Sequence, residues 1–75
     1  MSEYEARYTS GWVEPDEDDK GREQGVDHHK YWDRALDKVV KTVPRDDVGP
    51  FEVTKRIRVN HNSPGWVDGY RVDLN

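Results

Sequence analysis

The 75-residue chain has no cysteine and one methionine, and none of its apolar runs is longer than two residues. The lack of cysteine excludes a disulfide framework, a thiolate zinc site and a cysteine nucleophile. Apolar runs this short argue against a membrane-spanning segment. The start, Met1-Ser2-Glu3, has neither the basic nor the apolar part of a secretory signal, so we expect a cytoplasmic protein.

Charge is abundant, and it is unevenly distributed. Sixteen acidic and twelve basic residues give a formal net charge of −4. Residues 14–26 contain six acids and two bases, so this segment carries the whole excess and the other ten acids and ten bases cancel. The segment also lacks aromatic residues, which would offset the entropy of ordering it. We therefore predict a mobile acidic loop at 14–26 within a single domain spanning 1–75.

Apolar periodicity predicts one helix and three strands. Aromatic residues alternate with polar ones over 4–12, which is typical of a half-buried strand. Asp27 stands where a helix N-cap belongs, and Pro44 ends the helix. A period of two returns in 51–59, where Lys55 interrupts the apolar face, and again in 66–74. The predicted apolar stripe of the helix comprises Trp32, Ala35, Leu36, Val39, Val40 and Val43.

This order predicts a small α+β domain of β-α-β-β topology, with one helix packed on a three-stranded sheet. The last two strands form a hairpin. A right-handed crossover places the first strand beside the third, parallel to the second. One helix cannot cover all the aromatic residues of the sheet, so self-association is one expectation.

The strand alternation also predicts a set of partner-binding residues. Four arginines are expected on the sheet face away from the helix, and two tryptophans beside loops are candidate contact anchors. Acids on the same face give the alternative that cross-strand ion pairs alone account for the arginines. With the face near neutrality, nucleic acid is an unlikely partner. The predicted set is Trp12, Trp66, Arg7, Arg56, Arg58 and Arg71.

Candidate metal and catalytic residues form no complete pattern, so we predict no enzyme, no metal and no cofactor. The acidic segment partly follows a calcium-binding loop, but Lys20 occupies a position that needs an oxygen ligand. His29 and Asp33 have helical i, i+4 spacing without a third ligand nearby, and His28 and His61 have no evident role. The calcium-like positions are Asp16, Asp18, Lys20, Gly21 and Asp27.

Several short motifs within 32–74 resemble those of the dodecins, small flavin-binding proteins that assemble as hollow dodecamers. The resemblance rests on 32–36, 41–43, Phe51-Glu52-Val53 and Tyr70-Arg71-Val72. It implies this strand and helix order, oligomerisation and binding of a planar ligand. Pro50 stands where the family has its flavin-stacking tryptophan, and Arg71 where it has glutamine, so the flavin-binding residues are not matched.

Two functions follow as expectations. The first is a small non-enzymatic interaction module, of the kind found as accessory or phage proteins of bacteria, that binds a protein partner or itself. The alternative is a dodecin-like oligomer that binds a small planar ligand such as a flavin.

Overall fold

A computed structural model describes residues 5–75. It contains β1 (Tyr8–Thr9), α1 (His28–Val40), β2 (Val53–Asn60) and β3 (Trp66–Leu74). The predicted α+β class and the β-α-β-β order are confirmed. In the described part of the chain, no helix has the length and apolar character needed to cross a membrane.

β3 is the central strand of the sheet, whose order is β1-β3-β2. Both neighbours pair with β3 antiparallel, which makes β1 parallel to β2 as the crossover argument predicts. Between Arg58 and Val59 the register shifts by one residue, because Arg58 is opposite Gly69 whereas Val59 is opposite Val67. This bulge leaves Asp68 without an opposite residue.

The first strand is shorter than predicted. Its regular pairing stops at Thr9 because the next residue, Ser10, uses its side chain in the ladder: Ser10 N donates to Val72 O, whereas Val72 N donates to Ser10 Oγ, both at 3.0 Å. Gly11 then adopts a φ of 67°, which L side chains avoid. Pairing resumes at one bridge between Val13 and Tyr70. Tyr4, in the predicted strand, lies outside the described residues.

The helix begins as predicted but buries only part of its predicted apolar stripe. Asp27 is the N-cap, and its carboxylate accepts from Lys30 N. The buried row is Tyr31, Ala35 and Val39. Leu36 and Val40, predicted in the stripe, are exposed, so this part of the prediction is wrong. The reason is placement, since α1 packs against β3 and its 31–35–39 row faces the apolar side of that strand.

Candidate interaction surface

Part of the predicted partner-binding set comes together on the sheet face opposite the helix. The guanidinium carbon of Arg58 lies 5.2 Å from the centre of the Trp12 ring, and that of Arg71 lies 5.9 Å from it. Trp12 remains 38% exposed. Arg56 is opposite Arg71 in the register and therefore lies on the same face. Trp66 is separate from this cluster, because it pairs with Asn60 at the loop end of the hairpin.

Carboxylates balance the arginines of this face. Asp73 is fully buried, and its Oδ1 accepts from Arg71 Nε at 2.8 Å. Its Oδ2 lies 3.6 Å from Arg56 Nε. Arg58 Nε donates to Asp68 at 2.8 Å. Two of these ion pairs, Arg56–Asp73 and Arg58–Asp68, join β2 to β3 as the cross-strand alternative requires, whereas Arg71–Asp73 lies within β3.

Arg7 does not lie on this face, so its predicted position is wrong. Its Nη2 is 2.6 Å from Asp47 Oδ2, which also accepts from the Tyr8 hydroxyl at 2.6 Å. The guanidinium lies over the rings of Tyr8 and Phe51. The hydrogen bond from Tyr8, together with the positive charge of Arg7, holds the pKa of Asp47 below its usual value. The strand has not begun at residue 7, so the alternation does not apply there.

Exposed apolar side chains of α1 and β2, which the sequence analysis did not predict, lie on the helix side of the sheet, and we call this surface the groove. The helix covers β3 and leaves the apolar side chains of β2 open, with Val53 50% and Ile57 48% exposed. Lys55 Nζ lies 5.4 Å from the centre of the Trp32 ring, which places the 32–36–40 helix row next to β2. The groove residues are Trp32, Leu36, Val40, Val53, Lys55, Ile57 and Val59.

The groove contains two polar groups without a polar partner in the described residues, the ammonium of Lys55 and the indole N–H of Trp32. No carboxylate in residues 5–75 pairs with Lys55, whose contact is the Trp32 ring. The indole Nε1 of Trp32 is buried and has no acceptor in the same part of the chain. The groove is therefore apolar with one central cation.

An open cleft of about 530 Å³ lies where residues 12–14 and the Arg58 side chain meet the flank of α1 that points away from the groove. Its lining combines one aromatic ring, one carboxylate and three cationic side chains. Arg34 is held by Asp16 at 2.9 Å and Arg58 by Asp68, whereas Lys38 has no carboxylate partner in the described structure. The lining residues are Trp12, Val13, Glu14, Arg34, Lys38 and Arg58.

The acidic segment contacts the helix through two of its aspartates. Asp16 lies 2.9 Å from Arg34 Nη1 and 3.1 Å from Lys30 Nζ, and hydrogen bonds from these two groups lower its pKa to about 2. The buried Tyr31 hydroxyl accepts from Asp16 N at 3.1 Å and donates to Asp19. The mobility of residues 14–26 remains a prediction. Asp16 and Asp19 are the points at which this segment contacts α1.

The histidines and the calcium-like positions gain no functional support. Among residues 5–75 no group of three or more histidine or acidic side chains could hold a metal. The Asp16 carboxylate contacts two cationic side chains. His28 Nδ1 and the Tyr70 hydroxyl are 2.5 Å apart, and His29 packs edge-on against Trp32. These contacts are consistent with structural roles.

No family model, curated protein or solved structure matches this chain. The resemblance to dodecins therefore stays an expectation from short motifs.

The sequence contained a signal for one residue that its analysis missed. Lys55 interrupts an otherwise apolar face, and a cation at such a position marks a face that is not fully covered. Lys38 gave no comparable signal, since it is one of several charged residues on the polar side of α1.

Proposed function

We propose that this protein is a non-enzymatic interaction module that binds an extended segment of another protein along β2. One observation carries the proposal: the edge strand β2 presents a row of apolar side chains that α1 does not cover. Single exposed apolar residues are ordinary, but several of them on one face of a strand, beside exposed apolar residues of a helix, are typical of interaction sites.

The backbone of β2 supports addition of a strand. Glu52 and Asn75 exchange both backbone hydrogen bonds, which makes them a hydrogen-bonded pair. Because such pairs alternate in an antiparallel ladder, the N–H and C=O groups of Val53, Lys55 and Ile57 point away from β3. No described residue pairs with this edge. The residues whose side chains face the groove thus also offer their backbone to a new strand.

Lys55 defines the chemistry of the partner. It lies between Val53 and Ile57 on one face of β2 and lacks a carboxylate partner in the described residues. An added strand would place an acidic side chain opposite Lys55 and apolar side chains two residues away on either side. The expected partner segment is therefore extended and reads apolar-x-acidic-x-apolar.

A second copy of the chain fits this edge less well. Only the odd-numbered residues of β2 point their backbone groups outward, so two β2 strands pair antiparallel over at most seven residues, and both such registers place Arg56 opposite an arginine of the second copy, Arg56 or Arg58. Like charges directly opposite each other destabilise a strand pair. β2 contains three cations and no acid, so its charge favours an acidic partner over itself.

The test uses a blocked peptide in which valine alternates with threonine and the central residue is glutamate. Isothermal titration calorimetry should show binding to the full chain, and a peptide with central lysine should bind at least about tenfold more weakly, since a partly buried charge pair contributes about 1.4 kcal/mol or more. Lys55→Glu should reverse the preference between the two peptides.

Arg45→Glu is the matched control, because it makes the same charge change on an exposed residue outside the groove. It should leave the preference for the glutamate peptide unchanged. Equal binding of both peptides, or a Lys55→Glu protein that keeps the original preference, would contradict the proposal. A dimer that Ile57→Ser dissociates would show that a second copy occupies the groove.

A further inference from the structure

We propose that the cleft beside Trp12 binds a small planar aromatic molecule that carries an anionic group. This site is independent of the β2 groove, because it lies on the opposite side of α1 and shares no residue with it. Its volume, about 530 Å³, is within the range of small-molecule sites.

The cationic side chains supply the anion subsite. Arg34 and Lys38 are one helical turn apart on α1, so they face the cleft together. Asp16 accepts from Nη1 of Arg34, and Asp68 accepts from Nε of Arg58, which leaves further N–H donors on both guanidinium groups. Lys38 has no carboxylate partner in the described chain. A carboxylate or phosphate would thus meet one uncompensated ammonium and two arginine forks.

Gly69 allows Arg58 to reach the cleft from the far strand. A Cβ built at Gly69 would lie 3.2 Å from Nε, Cζ and Nη2 of Arg58, so the guanidinium passes directly over the glycine. It extends across β3 to the Trp12 ring, 5.2 Å away. A side chain at position 69 would force the guanidinium to shift by a few tenths of an ångström.

Trp12 supplies the aromatic subsite. Its ring lines the cleft and is 38% exposed, which leaves part of the ring for a second ring to pack on. The Arg58 guanidinium beside it can contact both the indole and an anion attached to the bound ring. The combination of an exposed ring with adjacent cations favours an aromatic anion over either an uncharged ring or a bare anion.

Glu14 is the one carboxylate of the cleft lining, so its neutralisation should strengthen the binding of an anion. Its oxygens lie 3.8 Å from Lys20 Nζ and 3.9 Å from Arg58 Nη2, which is beyond hydrogen-bond distance. It therefore repels an incoming anion and fixes little in place. Glu14→Gln should strengthen binding, whereas a substitution that merely damages the fold would weaken it.

The experiment titrates the full chain with adenosine 5′-monophosphate, and separately with adenosine and with inorganic phosphate, by NMR and calorimetry. The monophosphate should shift the indole N–H signal of Trp12 and bind at least about tenfold more tightly than either half. Lys38→Ala should weaken it by about tenfold, since it removes a charge-assisted contact. Trp12→Leu should abolish the advantage over phosphate, and Glu14→Gln should tighten binding.

Lys41→Ala, at the C-cap of α1, is the matched control for the ammonium, and Trp66→Leu is the control for the indole. Both should leave binding unchanged. Phosphate that binds as tightly as the monophosphate would overturn the aromatic subsite, and adenosine that does so would overturn the anion subsite. Monophosphate binding that Lys38→Ala and Glu14→Gln leave unaltered would overturn the site. Lys55→Glu should not change binding of the monophosphate, because Lys55 does not line the cleft. The two proposals can therefore be contradicted independently of each other.

Discussion

Asp16 joins the acidic segment to two cationic side chains of α1. Arg34 and Lys30 both contact its carboxylate, whereas no described contact involves the neighbouring Asp18. Hydrogen bonds from Arg34 and Lys30 lower the pKa of Asp16 to about 2, because they outweigh the desolvation that would raise it.

The lowered pKa predicts an acid-dependent loss of stability. The pKa of Asp16 is about 2 in the folded protein and 3.8 for an unperturbed aspartate, so the contribution of its ion pairs is complete above 3.8 and disappears as the pH falls towards 2. Urea unfolding at several pH values should show this loss, and Asp16→Asn should lack it. Asp18→Asn is the control and should keep the wild-type profile. An NMR titration that gives Asp16 its ordinary pKa would contradict the contact.

Asp73 is a second residue whose environment sets its role. Because the side chain is buried and holds Arg71 at 2.8 Å and Arg56 at 3.6 Å, Asp73→Ala removes the partner of two cations at once. We expect a loss of about 2 kcal/mol in the free energy of unfolding, the scale of one charge-assisted hydrogen bond. A double-mutant cycle with Arg71→Ala measures the pair, and strict additivity would show that the two side chains do not interact.

At the scale of elements, the acidic segment is attached to α1 by a tyrosine as well as by ion pairs. Tyr31 is buried and stacks on Tyr70 with ring centres 5.0 Å apart, so the protein fixes the position of its hydroxyl. Burial and the hydrogen bond to Asp19 raise the pKa of Tyr31, so the hydroxyl stays protonated and can donate.

Tyr31→Phe should loosen the segment while leaving the helix in place. The substitution removes one acceptor for Asp16 N and one donor to Asp19 but keeps the stacked ring. Hydrogen–deuterium exchange of amides in 14–20 should become faster, and exchange in 31–40 should change little. Tyr70→Phe is the control, since its hydroxyl contacts His28 instead. Unchanged exchange in 14–20 would show that the ion pairs of Asp16 are sufficient.

The helix shows which features of an element the sequence determines locally. Its start at Asp27 and its charged outer side follow from capping and periodicity, which are properties of neighbouring residues. The choice of Tyr31 over Leu36 as a buried residue depends on how α1 is placed over β3. Likewise, β1 stops early because Ser10 bonds to Val72, and periodicity contains no information about a contact across 62 residues.

At the scale of the molecule, the strand order could be predicted and the binding surfaces largely could not. The right-handed crossover and the hairpin of the last two strands favour the observed order β1-β3-β2. The groove exists because one helix covers one strand, and the cleft forms where residues 12–14, α1 and the Arg58 side chain meet. Both depend on distances between elements, so the exposed Ile57 and the cleft residue Lys38 resemble any other strand or helix residue in the sequence.

The charge of β2 predicts how the whole molecule responds to salt. We expect the chain, 8.8 kDa, to sediment as a monomer at micromolar concentration and low ionic strength. Salt should weaken binding of the glutamate peptide to the Lys55 face, because an opposite-charge contact is screened. Pairing of two β2 edges would respond in the opposite direction, since salt reduces the repulsion between their cations. Dimers that strengthen with salt would therefore favour self-association.

The position of β3 in the chain has a consequence for the folding route. This strand is the latest of the three in the sequence, yet both others depend on it for pairing. β2 reaches it through a five-residue turn, whereas Tyr8 must close a loop of more than sixty residues to meet Leu74. We expect the hairpin to form first and residues 8–13 to attach last. The same residues would then be the first to detach in partial opening, taking Trp12 with them.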